Sequence, residues 1–121
     1  MRRYTTSTPS LVVEGINISS YKVWVTFAQV YPDDIDSTVI NTLSQADYKT
    51  KSLTITPTSK VVSGNDTIIT CSLSQEQTAQ FKPGRIRVQV NWMTSGGIRK
   101  ATDIVLIPSF DNLLDEVKTY A

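Results

Sequence analysis

In the first half of the chain, Tyr21, Val23, Val25 and Phe27 alternate with Lys22, Trp24, Thr26 and Ala28. A period of two sends successive side chains to opposite faces, so this run predicts a strand with one buried face. The pattern recurs more clearly near the other end. Ile86, Val88, Val90 and Trp92 face one way, and Arg85, Arg87, Gln89 and Asn91 the other. Shorter apolar runs predict further strands at Leu11, Val12 and Val13, at Leu53 and Ile55 before Pro57, and over residues 67–73. Ser63-Gly64-Asn65-Asp66 reads as a turn. Thr94 to Gly97 reads as a hairpin turn, because its glycines supply positive φ. The hairpin predicts a returning strand over residues 98–107, closed by Pro108. About seven short strands separated by turns point to an all-β fold, an antiparallel β-sandwich of Ig-like architecture.

Two segments depart from this period. Ser74-Gln75-Glu76-Gln77 has capping-box spacing, which predicts a single helical turn from Gln75 to about Gln80, with Phe81 turned inward. Phe110, Leu113, Leu114 and Val117 lie at i, i+3, i+4 and i+7, the spacing of one helix face. A helix of roughly ten residues does not persist alone in water, so residues 109–121 are expected to dock on their own domain or on a neighbour. Residues 1–9 are polar and read as an extended arm. The chain therefore divides into an arm (1–9), a sandwich domain (10–108) and a docking helix with its tail (109–121). Residues 32–47 stay ambiguous: Val39, Ile40 and Leu43 fit a short strand or a helical turn equally.

Composition supports strands and removes most chemistry. Sixteen Thr, twelve Val and eleven Ile make about a third of the 121 residues β-branched, against five Ala and seven Leu; such side chains suit a pleated surface. With no His there is no Ser/His/Asp triad and no His ligand. A single Cys71 gives no intramolecular disulfide and no Cys-rich zinc site. It alternates with Thr70 and Ser72 as a small core residue, with no base to activate it. A net charge of +1 argues against a general nucleic-acid binder. The polar residues 4–10 offer no apolar signal-peptide core, and no run is long enough for a membrane helix. A soluble cytoplasmic product, non-enzymatic and needing no cofactor, is expected.

Charge is distributed unevenly. Asp33, Asp34, Asp36 and Asp47 form an acidic stretch whose spacing is not that of an EF-hand, so a solvated loop is favoured over calcium. Lys82, Arg85, Arg87, Arg99 and Lys100 give residues 82–100 a charge of +5. Arg85 and Arg87 share one strand face, and the hairpin is expected to bring Arg99 and Lys100 near them. Such a face is either solvated or a contact surface for a protein partner, which the acidic stretch of a second copy would match. Trp24 falls on the polar phase of its strand. It packs under the arm or a partner, or it stacks on a sugar ring. Gly96-Gly97 precedes no helix and is not a phosphate loop.

One resemblance adds to these readings. The run Leu73-Ser74-Gln75-Glu76-Gln77-Thr78, then Phe81, Gly84 and Val88-Gln89-Val90-Asn91-Trp92, resembles small structural proteins of tailed bacteriophages and prophages of Gram-positive gut bacteria. Gly96-Gly97, Arg99, Ala101-Thr102-Asp103-Ile104 and the terminal Asn112-Leu113-Leu114-Asp115-Glu116-Val117 belong to the same pattern, which covers residues 67–117. More distantly the chain is similar to the N-terminal β-sandwich domain of phage baseplate upper proteins. The resemblance implies a virion component of the head surface, neck, tail or baseplate, without catalytic residues, in contact with other virion proteins and copies of itself. A small carbohydrate-binding module for host attachment, with glycan as ligand, is the alternative. The expected partner contacts are Phe110, Leu113, Leu114, Val117, Arg85, Arg87, Arg99, Lys100 and Trp24.

Overall fold

Strands β2 (Lys22–Tyr31) and β6 (Gly84–Met93) run antiparallel through the middle of the structure, in register from Lys22 opposite Met93 to Ala28 opposite Arg87. Both follow the alternation read from the sequence. Val23, Val25 and Phe27 are buried on one side of the pair, as are Ile86, Val88, Val90 and Trp92. A computed structural model describes residues 1–31 and 49–120. The acidic stretch of Asp33, Asp34, Asp36 and Asp47 and the ambiguous Val39, Ile40 and Leu43 lie outside the described residues.

Two antiparallel sheets are built around this pair, and the described chain is mostly β. In the larger sheet, β3 (Lys49–Ile55) flanks β2, while β7 (Arg99–Ala101) and β8 (Val105–Ser109) share the other side of β6. In the smaller sheet, β5 (Asp66–Thr70) lies between β1 (Ser10–Val13) and β4 (Ser59–Ser63). Val13 and Ile69 from the smaller sheet join the inner faces of β2 and β6 in one apolar cluster, with Ile18, Cys71, Leu73 and Phe81. The N-terminal arm is not extended throughout as expected: it turns at residues 3–5, where Tyr4 adopts φ 60°, and only its second half runs along the smaller sheet. Ser7 and Leu73 exchange main-chain hydrogen bonds of 3.0 and 2.8 Å, and the Cys71 N–H donates to the Pro9 carbonyl at 3.0 Å.

Two buried polar side chains in this core are matched, whereas the Trp92 indole N–H and the Ser109 hydroxyl are buried without a partner among the described residues. Gln29 continues the inner phase of β2 and is fully buried. Its amide donates to the Lys82 carbonyl and accepts from the Lys82 N–H, both at 2.8 Å, and so fastens the approach to β6 onto β2. Thr67 is equally buried; its hydroxyl donates to the Ile16 carbonyl at 2.8 Å and accepts from the Ile18 N–H at 3.0 Å. The helical turn α1 (Gln75–Ala79) has the expected capping box: Ser74 Oγ accepts from the Gln77 N–H and Gln77 Oε1 accepts from the Ser74 N–H. Phe81 then turns into the core.

Four further features differ from the sequence reading. Strand β4 was not foreseen, because Lys60, Val61 and Val62 do not alternate. It is an edge strand with Val61 and Val62 exposed, so burial leaves no period in it. The predicted single strand over residues 98–107 is two strands. Ala101 faces Asn91, yet Val105 faces Val88, so β6 advances three residues while its partner advances four. The additional residue is a β-bulge at residues 102–104, and it turns Ile107 onto the core side opposite Ile86. Thr102 repairs the ladder there: its N–H donates to the Val90 carbonyl at 2.9 Å and its hydroxyl accepts from the Val90 N–H at 3.1 Å. Thirdly, Pro108 does not close the strand. Its carbonyl accepts from the Met1 amino group at 2.7 Å, on the side away from β6. Carbonyl and N–H of one strand residue point the same way, so the missing proline N–H costs β6 nothing.

The fourth difference is the C-terminus. Residues 111–120 carry no helix, and Phe110, Leu113, Leu114 and Val117 do not form a helix face. Competing local bonds explain this. Asp111 Oδ1 accepts from the Asn112 N–H and Asn112 Oδ1 from the Leu114 N–H, the Asx geometry that draws backbone away from helix. The N-terminal arm takes the adjoining main chain. Phe110 donates to the Met1 carbonyl and accepts from the Arg3 N–H, at 2.7 and 2.9 Å.

Removing the Thr102 hydroxyl tests the bulge. Thr102→Val leaves the Val90 N–H without its acceptor and should lower stability by about 1–2 kcal/mol. The urea midpoint should fall with its slope unchanged.

Candidate functional site

The outer face of the larger sheet and the joined termini hold the predicted contact residues other than Lys100. Arg85 and Arg87 lie on the outer phase of β6, as expected. Arg85 is opposite Pro108 and Arg87 opposite Leu106. Arg99 is on the same face but opposite Met93, at the far end of β6. Six residues of strand separate Arg87 from Met93, roughly 20 Å at strand rise. Lys100 pairs with Trp92 and so belongs to the other phase, although it is exposed at the sheet margin. The hairpin therefore does not assemble the five cations into one patch. Hairpin pairing mirrors residues about the turn, which carries Arg99 towards Met93 and away from Arg85.

Trp24 is half-buried on the outer face, directly opposite Asn91. With Thr26, Thr54, Met93 and Arg99 these two line a recess of about 330 Å³. Arg99 Nε and Nη2 both donate to Asn91 Oδ1 at 3.3 Å, and the Thr26 and Thr54 hydroxyls are 2.9 Å apart. Sequence alternation identified Trp24; apart from Thr26 on its own strand, its neighbours come from three other strands, β3, β6 and β7, and from a register that no single run encodes. Among the described residues no group of three or more His, Cys, Asp or Glu is placed to hold a metal ion. No helix is long and apolar enough to cross a membrane.

The termini form a polar seam. Arg3 is largely buried; its guanidinium bonds the Ala79 carbonyl at 3.1 Å and contacts Asp111 and Asp115 at 3.3 and 3.7 Å. Arg2 donates to the Asp111 carbonyl at 2.7 Å and lies over the Phe110 ring, 5.6 Å from its centroid. Farther on, Gln75 and the main chain of Lys118 exchange two hydrogen bonds of 2.8 Å. Burial, and secondarily the Arg2 charge, holds the Met1 amino group below its ordinary pKa.

Outside the seam, large apolar side chains are exposed among charged ones. Between Ile104 and Tyr120, the side chains of Ile104, Val105, Leu106, Phe110, Leu113, Leu114, Val117 and Tyr120 are exposed, Leu113 and Tyr120 fully so. The segment is thus held to its own chain by main-chain and charged groups while its large hydrophobic side chains face water. The periodicity found four of these residues for the wrong reason, since they are exposed on an irregular segment. Ile104, Val105 and Leu106 escaped notice because a strand pattern assigns half of them to a core.

Cys71 is buried, as its alternation suggested, and burial pushes its thiol up to about 11 from 9.0. The chain matches no protein-family model, no curated protein and no solved structure.

Two outcomes follow from this geometry. Cys71 should resist iodoacetamide at pH 8 in the folded protein and react on denaturation. The folded state holds the thiol proton more tightly, so this contribution to stability is present below pH 9.0 and is lost as pH rises towards about 11. Arg3→Ala removes the clamp between the arm, α1 and residues 111–115. It should release the C-terminal segment, seen as faster amide exchange over residues 111–118, and cost about 1–2 kcal/mol after allowance for the solvent-screened carboxylates.

Proposed function

We propose that this chain is a non-enzymatic structural or connector component of a tailed-phage particle, an Ig-like sandwich present in several copies on the head surface, neck, tail or baseplate. One observation carries the reading: an apolar stripe from Ile104 to Tyr120 faces solvent on a segment that polar bonds fix to the fold. Exposed apolar surface is what a protein–protein contact requires, since burying it against a neighbour releases water, and a segment tied down at a few points can fit its path to the partner at modest cost. The partners are other virion proteins and further copies of this chain. The resemblance of residues 67–117 to small phage structural proteins supplies the kind of assembly. The absence of His from the whole chain and the inert, high-pKa Cys71 agree with a part that binds rather than reacts.

The location is the bacterial cytoplasm during synthesis and the virion afterwards. Purified particles from a host carrying the gene should show a 13.4 kDa band on a denaturing gel; its absence removes the reading. Leu113→Ser combined with Leu114→Ser should leave the isolated protein's melting temperature within about 2 °C of the parent, because exposed positions change stability little. The same variant should be missing from particles. If it unfolds instead, the segment serves its own domain.

A further inference from the structure

The recess beside Trp24 has a composition that the assembly reading does not use. A half-exposed indole stands next to a carboxamide, a guanidinium and a pair of hydroxyls on one rigid sheet face. Rigidity comes from beneath: Trp24 and Thr26 alternate with Val23, Val25 and Phe27, which are locked in the core. Trp24 lies opposite Asn91, and the next residue across is Ala101, whose small side chain leaves the Asn91 side of the indole open.

Hydrogen bonding fixes which atoms remain available. Asn91 Oδ1 accepts from both Nε and Nη2 of Arg99, so the carboxamide's NH₂ is the group turned outward. Among the described residues neither that NH₂, nor Arg99 Nη1, nor the Trp24 indole N–H has a partner within the protein. All three are donors. Lys22 lies in the same cross-strand row as Met93 and Arg99, which places a second cation beside the recess, and no acidic side chain among the described residues lines it. The site is therefore an aromatic platform surrounded by donors and positive charge.

A pyranose ring matches the platform, because one of its faces presents only C–H groups while its rim carries hydroxyls. The unopposed positive charge selects further. A carboxylate on the ring would accept from Arg99 Nη1, a charge-assisted bond that a neutral sugar does not make. We propose that the outer face of the larger sheet at Trp24 binds an acidic pyranose, a uronic-acid unit of a polysaccharide, with its apolar face on Trp24, its carboxylate at Arg99 and its hydroxyls at Asn91 and the Thr26–Thr54 pair. This site does not depend on the assembly reading, since none of its residues belongs to the C-terminal stripe.

Methyl β-glucuronide and methyl β-glucoside, titrated into the full chain, test it. The two tryptophans give two indole N–H signals in a nitrogen–proton correlation spectrum, and Trp24→Phe assigns them. The glucuronide should shift the Trp24 signal and leave that of buried Trp92 in place. It should bind about tenfold more tightly than the glucoside, the factor equivalent to 1.4 kcal/mol from one charge-assisted hydrogen bond. Arg99→Gln, an exposed change that keeps the fold, should reduce the glucuronide to the affinity of the glucoside. Trp24→Ala should abolish binding of both, with an unchanged melting curve as the control for folding. No shift at Trp24 with either sugar overturns the site, as does retention of binding in Trp24→Ala. Equal affinity of the two sugars, or an Arg99→Gln variant that still prefers the glucuronide, overturns the assignment of the carboxylate to Arg99. A virion protein that binds this face while neither sugar does would make it a protein contact instead.

Discussion

The register between β2 and β6 is the constraint on which the rest of the structure depends. Seven cross-strand pairs, Lys22–Met93 to Ala28–Arg87, place Val23, Val25 and Phe27 on the same side as Val88, Val90 and Trp92. A slip of one residue would exchange the two faces of one strand, burying Lys22, Trp24 and Thr26, or Arg87, Gln89 and Asn91, in an apolar core. Burying unpaired charge costs several kcal/mol per group, so the alternative registers lie far above this one. Everything else is attached to the pair. Gln29 binds the approach to β6, the smaller sheet covers the inner face, and β7 and β8 take their positions from β6.

Legibility in the sequence follows burial. Both central strands, the capping box, the inward Phe81 and the hairpin turn at residues 94–97 were readable, because each is decided by a short run of neighbours. In the turn, Gly97 adopts φ 81°, and the Thr94 carbonyl accepts from its N–H at 3.0 Å. What was not readable is decided by distant partners. Strand β4 is defined by its hydrogen bonds to β5, and its side chains carry no alternation because both faces are largely wet. The bulge at residues 102–104 depends on the Thr102 hydroxyl finding the Val90 N–H, which only the paired strand can supply.

The C-terminus shows the same limit from the opposite side. Spacing of i, i+3, i+4 and i+7 states where side chains would lie if the backbone were helical; it does not supply the energy to make it so. A short segment gains little from its own hydrogen bonds. Here Asp111 and Asn112 offer the backbone nearby acceptors, and residues 1–3 and Gln75 offer main-chain partners at fixed points. Those bonds exist in the folded chain whether or not a neighbour is present, whereas a helix would need a groove. The apolar residues are exposed on an irregular segment rather than along a helical stripe.

The two outward surfaces differ in what holds them, and this separates the roles proposed for them. The C-terminal stripe is carried on residues tied down by a few polar bonds at the margin of the fold; such a segment can adjust its path to a partner at modest cost. Trp24 and Asn91 sit on the outside of the β2–β6 pair, where every second residue is buried in the core, and Arg99 reaches Asn91 from the neighbouring strand β7. A small rigid ligand is recognised best by donors that are already in place, because nothing need be ordered on binding. A large protein surface tolerates, and uses, some adjustment. The adaptable apolar margin thus suits assembly, and the preorganised polar recess suits a single sugar ring.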